Sequence, residues 1–143
     1  MKIIEEKNPS SALAHDITRL VSQLSDSASA LTESGLAEIV NSPHTVLFTA
    51  QENNIVYGML ILLVYRTAVG RHAYIENIVV DQLARGKGIG SQLVSAAIKR
   101  ARKEGARHID LTSAPHREAA NHLYLKLGFE KRTTNVYRYQ VKQ

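Results

Sequence analysis

The chain has 143 residues, enough for one domain with a buried core, and 44% of them are hydrophobic. It contains no cysteine, which removes disulfide frameworks, thiolate nucleophiles and cysteine-based metal sites from consideration. With 18 basic and 13 acidic residues the net charge is +5, and no apolar run approaches the length of a membrane span. Met1-Lys2-Ile3-Ile4 is followed at once by Glu5-Glu6-Lys7, which does not read as a signal peptide. The expectation is a single domain, 1–143, in the cytoplasm, with no membrane partner.

In chain order, Lys2 to Glu5 reads as a short strand. Ser10 or Ser11 can cap a helix whose apolar face runs Leu13, Ile17, Leu20, Val21 and Leu24, until Ser25-Asp26-Ser27 breaks it. A second helix places Leu31, Leu36, Ile39 and Val40 inside and stops at Asn41-Ser42-Pro43. Thr45 to Gln51 is a strand, Glu52-Asn53-Asn54 has hairpin chemistry, and Ile55 to Arg66 is a long, continuously apolar strand of central type. After a turn at 68–71, His72 to Val80 completes an antiparallel meander. Apolar positions 89, 93, 94, 97, 98 and 101 predict a helix over Ile89 to Lys103, ended by Glu104-Gly105. His108 to Thr112 follows as a strand able to run parallel to 72–80 through a right-handed crossover. A helix over His116 to Leu127 comes next, with Gly128 in the left-handed terminal position, and then two strands, Phe129 to Arg132 and Asn135 to Val141.

The stretch Gln82 to Ser91 carries the chemistry. A strand feeds a glycine-rich turn that opens a helix, so free amide N–H groups and the helix dipole converge on one point, a pattern that suits phosphate. Arg85 and Lys87 add two full charges. The spacing excludes two familiar solutions. No Lys follows the last glycine, as a P-loop requires. The order Gly86-x-Gly88-x-Gly90 is not Gly-x-Gly-x-x-Gly, although Asp110 lies at the distance a dinucleotide site would want.

Arg85-Gly86-Lys87-Gly88-Ile89-Gly90 resembles the (Gln/Arg)-x-x-Gly-x-(Gly/Ala) acyl-CoA signature of the GCN5-related N-acetyltransferase (GNAT) superfamily. A second element in the right order, Ala119 to Phe129, is similar to the family's Ala-x-x-Leu-Tyr-x-x-x-Gly-Phe segment. The resemblance spans about Ile55 to Tyr139. It implies an α/β (α+β) GNAT fold with a central mixed, mostly antiparallel sheet of six to seven strands. That sheet would be splayed between strands 4 and 5 and flanked by about four helices. It also implies an acetyl-CoA-dependent N-acetyltransferase acting on a primary amine.

Carried over residue by residue, the resemblance implies that Ile78, Val79 and Val80 line the pantetheine arm. The diphosphate would lie on Arg85, Gly86, Lys87, Gly88, Ile89, Gly90 and Ser91. Tyr124 matches the tyrosine that protonates the departing thiolate. Glu76 stands where many members place a base for the acceptor amine, and the period of two puts it on one face with Tyr74 and Ile78. A salt-bridged Glu76, with Arg66 or Arg71 as partner, is the structural alternative. Asn121 or Arg117 would meet the cofactor, since Arg117 stands where the commonest family form has Asn. An amide of Asn77 or Ile78 would serve the oxyanion.

The histidines have no metal-ligand spacing, so no metal is expected. Thr112 and Ser113 lack a nucleophile elbow and read as caps of the last helix. Basic residues gather at Arg85, Lys87, Lys99, Arg100, Arg102, Lys103 and Arg107, but an anionic cofactor and a solvated helix face account for them, so nucleic acid is not expected. His15, Asp16, Thr67, Arg71, His72 and Tyr137 fall in regions that the resemblance implies would choose the acceptor, and they form no diagnostic pattern. A small amine is favoured. A peptide or protein acceptor, or a non-catalytic acyl-CoA sensor, are the alternatives. The strand Asn135–Val141 offers an edge through which a homodimer could form.

Overall fold

A computed structural model of the chain describes residues 1–142. Two compact units are present, one running from Met1 to Thr112 and one from Ser113 onward. The first begins with β1 (Lys2–Glu6), α1 (Ser11–Ser22) and α2 (Glu33–Val40). The meander β2 (Thr45–Glu52), β3 (Ile55–Thr67) and β4 (Gly70–Val80) follows. A short 3-10 turn (Gln82–Ala84), α3 (Ile89–Lys103) and β5 (Ile109–Asp110) complete the unit.

The five strands form one sheet in the order β1-β2-β3-β4-β5. All neighbours are antiparallel except β4 and β5, which run parallel through α3. Asn53 and Asn54 turn β2 into β3 with φ of 52° and 62°, the left-handed pair that a tight hairpin needs and that asparagine tolerates. β3 carries no charged residue from Val56 to Val64 because both its faces are largely covered there. Val56, Met59, Leu47 and Val79 pack under α1 and α2 with Leu13, Ile17, Leu20 and Leu36. On the other face Leu60, Leu62 and Ile75 are buried, and Ile89 and Leu93 of α3 approach Gly58 there. Ser10 caps α1, accepting from Leu13 N–H at 3.0 Å, and Thr32 caps α2 in the same way from Gly35 at 3.0 Å.

The second unit holds α4 (Glu118–Lys126). Its N-cap is Arg117, with no side-chain cap, so Thr112 and Ser113 do not cap it as their sequence suggested. The buried Ser113 hydroxyl has no hydrogen-bond partner among the described residues. The sheet has five strands and not six to seven, because residues 129–142 form no strand. Val136, Tyr137, Tyr139 and Val141 are 66–89% exposed there. Their β-type composition is not matched by a paired backbone, and a strand exists only through its ladder.

Candidate active site

β4 departs from regularity where the sequence placed the chemistry. Ile61 pairs with Glu76, yet Met59 pairs with Val79, so Asn77 and Ile78 together oppose Leu60. This is a β-bulge, and Asn77 takes φ of 49° in it. The bulge corrects the period-of-two reading. Glu76 does share a face with Tyr74, but past the bulge Val79, not Ile78, returns to that face. The face is the one covered by α1 and α2 further along. Arg66 and Arg71 pair with each other on the opposite face. Glu76 is exposed and forms no ion pair or hydrogen bond among the described residues, so the salt-bridged alternative is not what the structure shows.

β5 pairs with β4 only at Ala73 and Tyr74. From Ile75 to Val80 that edge of β4 therefore has no strand beside it among the described residues. Its free backbone groups can bond an extended chain laid along it. The splay between the fourth and fifth strands, expected from the resemblance, is present in this form.

At the end of β4 the chain turns through Asp81. This buried carboxylate accepts from Leu83 N–H at 3.0 Å and pairs with Arg19 of α1, whose other nitrogen reaches Val56 O at 2.6 Å. The Leu83 amide and the Arg19 guanidinium hold the Asp81 carboxyl below its ordinary value against the opposing effect of burial. The clamp fixes the path into Arg85–Gly88. Gly86 and Gly88 take φ of 80° and 79°, and a Cβ at either would meet nothing within 4 Å. Backbone conformation, not crowding, is why glycine stands there. Gly88 is the N-cap of α3, and Gln92 N–H bonding to Gly88 O at 3.1 Å is the first closed turn. The amides before it are the donors that a helix start leaves without an intrahelical partner. Arg85 folds back, its Nε on Val80 O at 3.1 Å, while Lys87 is exposed.

In the second unit the tyrosine motif has a local explanation. Phe129 N–H bonds to Tyr124 O at 2.9 Å and Gly128 N–H to Leu125 O at 3.1 Å, with Gly128 at φ of 100°. These are the paired bonds of a Schellman terminus, and the rings of Tyr124 and Phe129, 5.9 Å apart, supply its apolar contact. Tyr124 is buried, and burial raises its phenol above the ordinary value of 10.0, with the charge of Arg117 pulling the other way. It is therefore a protonated phenol at neutral pH. Asn121 Nδ2 is committed to Ala114 O at 3.0 Å. No cluster of three metal-ligating side chains occurs among the described residues, and no helix of them is long and apolar enough to cross a membrane.

Fold and loop together define a mixed-sheet α/β protein whose β4–α3 turn suits a phosphate-bearing ligand. The chain belongs to the acetyltransferase (GNAT) family, whose model matches residues 14–129. An uncharacterized N-acetyltransferase of Methanocaldococcus jannaschii is 40% identical over 60 residues, 42% of this chain and 26% of that one. The matched stretch is thus about a quarter of the relative's length. An aminoglycoside acetyltransferase from an uncultured soil metagenomic sample superposes with a TM-score of 0.88 at 19% identity, over 99% of this chain and 96% of its own. AAC(6')-Iy, solved with a bisubstrate analogue containing CoA, superposes at 0.80 with 21% identity over 99% and 98%. At those identities the two structures show a shared fold. The chain is a member of this family, and the GNAT fold that the resemblance implied is the fold observed.

Proposed function

We propose that the protein transfers the acetyl group of acetyl-CoA to a primary amine of a small molecule by direct attack. The observation that carries this reading is the open N-terminus of α3, where two left-handed glycines present unpaired amides with Arg85 and Lys87 beside them. A diphosphate fits that arrangement of dipole, amides and cations. The unpaired half of β4, with Ile78, Val79 and Val80, suits the amide-rich pantetheine arm.

The residues then have distinct tasks. Glu76, exposed and without a partner, accepts the proton that an alkylammonium must lose before it can attack. The bulge at Asn77 and Ile78 turns a backbone amide out of the ladder register, which suits a developing oxyanion. Tyr124, held as a phenol by burial, donates a proton to the leaving thiolate. No step passes through an acylated cysteine, since the chain has none. The soil aminoglycoside acetyltransferase of like fold has been solved in complex with sisomicin, and that small-molecule ligand supports reading a small-molecule acceptor here.

The test is release of free thiol from acetyl-CoA over a panel of amines and basic peptides, beside a thermal-unfolding shift with acetyl-CoA alone. Turnover on small amines is expected. Stabilisation by acetyl-CoA with no turnover on any acceptor would replace the enzyme by a sensor. Turnover confined to peptides would move the acceptor class.

A further inference from the structure

Three aromatic rings line up across β3, β4 and the residue that leads into β5, on the face that carries Glu76. Tyr65 pairs with His72 and meets it edge-on at 6.1 Å between centroids, and His72 stacks on His108 at 4.1 Å. The next row on that face is Leu63, Tyr74 and Asp110, joined by the β3–β4 and β4–β5 registers. Asp110 lies 3.6 Å from His108 Nε2 and its side chain is 42% exposed. Tyr65 is 37% exposed and the His108 side chain 46%. No lysine or arginine side chain of these strands lies on this face. Arg66 and Arg71 stand on the opposite face, Arg107 Nη1 is spent on Val69 O at 2.7 Å, and β3 to β5 contribute no lysine or arginine to the Glu76 face. In a chain of net charge +5, an arginine-free strip with one exposed and one half-buried carboxylate among aromatic rings is a local reversal.

We propose that this strip recognises a second cationic nitrogen of the acceptor, so that the preferred substrate is an aliphatic diamine. The proposal rests on the acetyltransfer reading above and extends it. Glu76 and Asp110 are diagonal across Tyr74, one two-residue step along β4 and one strand over, which separates their α-carbons by about 8 Å. A chain of about four or five methylenes bridges such a gap with extended geometry. The amine at Glu76 loses its proton and reacts. The far ammonium stays charged on Asp110, and its chain crosses the Tyr74 ring, whose face attracts a cation. A monoamine forfeits the second ion pair.

The experiment compares kcat/KM for putrescine and cadaverine with butylamine and pentylamine, matched in length. The wild type should favour each diamine by about tenfold, the scale of one charge-assisted contact. Asp110→Asn should bring that ratio close to one, Asp110→Glu should retain most of it, and Arg66→Gln on the other face should leave it at the wild-type value. Thermal unfolding without acetyl-CoA separates this inference from the acetylation reading. If no amine is acetylated, yet putrescine and not butylamine raises the wild-type midpoint and fails to do so in Asp110→Asn, the cation site stands and the enzyme reading falls. A wild-type ratio near one, or a ratio that survives in Asp110→Asn, overturns the proposal.

Discussion

Gly58 is where packing of the fold and geometry of the phosphate loop meet. It lies on β3 opposite Val80, and a Cβ added there would stand 3.1 Å from Leu93 Cδ1, 3.2 Å from Ile89 Cγ2 and 3.3 Å from Val79 O. Ile89 and Leu93 are buried, and Val79 O belongs to the backbone just past the bulge, so none of the three can move freely. Overpacking of this kind costs about 1–3 kcal/mol, offset by up to about 1 kcal/mol because alanine restricts the unfolded chain. A net loss of about 1–2 kcal/mol corresponds to a fall of roughly 5 °C in Tm for a chain of this size. The displaced residues form the first two turns of α3, whose amides face the diphosphate in the proposed function. Gly58→Ala should therefore raise the acetyl-CoA KM by about fivefold, equivalent to about 1 kcal/mol, while kcat moves less. Differential scanning fluorimetry and thiol-release kinetics measure both. A Tm within about 1 °C of wild type together with an unchanged acetyl-CoA KM would refute the reasoning that α3 has no slack against β3.

Tyr124→Phe should depress kcat by about a hundredfold or more and change the acetyl-CoA KM by only a few-fold, because a general acid acts in the transition state. Near-normal turnover in that variant would remove the phenol from the reaction. For Glu76→Gln, the acidic limb of the kcat/KM profile against pH should flatten, and a profile superimposable on wild type would exclude Glu76 as the base. Asp81 gives a stability prediction with a definite sign. Its carboxyl is held below the ordinary 3.8 in the folded state, so its contribution is complete above that value and is lost as pH falls through the depressed one. Asp81→Asn should be less stable than wild type at neutral pH and lose less stability on acidification, and parallel Tm curves for the two proteins between about pH 6 and pH 2 would show that the clamp with Arg19 carries no such linkage.

The elements read most clearly from sequence are those whose cause is local. The Asn53-Asn54 hairpin, the Ser10 cap, the left-handed Gly105 and Gly128, and the stripe of α3 all depend on a few adjacent residues, and all are present. Gly86 and Gly88 were legible for the same reason, since positive φ leaves its mark in residue type. The terminal pair of strands failed on the opposite ground. Val136, Tyr137, Tyr139 and Val141 have strand composition, but pairing is a property of two segments, and no partner accompanies them among residues 1–142. β5 shows the same limit: it is reduced to Ile109–Asp110, because its ladder with β4 stops at Tyr74 although β4 itself continues to Val80.

The bulge at Asn77 explains why the site was half legible. Residue types named Glu76 and Ile78 as members of it, but a strict alternation placed both on one face. The extra residue breaks that alternation at the point where β4 loses its β5 partner. The two facts belong together physically. A strand paired on both edges resists a bulge, since two ladders would have to absorb it, whereas past Tyr74 only the β3 ladder is involved. Asparagine makes φ of 49° tolerable at little cost in strain. The splay thus permits the bulge. The bulge leaves Glu76 on the α1–α2 face and brings Val79 back to it. Along β4, one face of the sheet is packed by helices and the other edge is left for ligand, with the reacting centre of the proposed function at their junction.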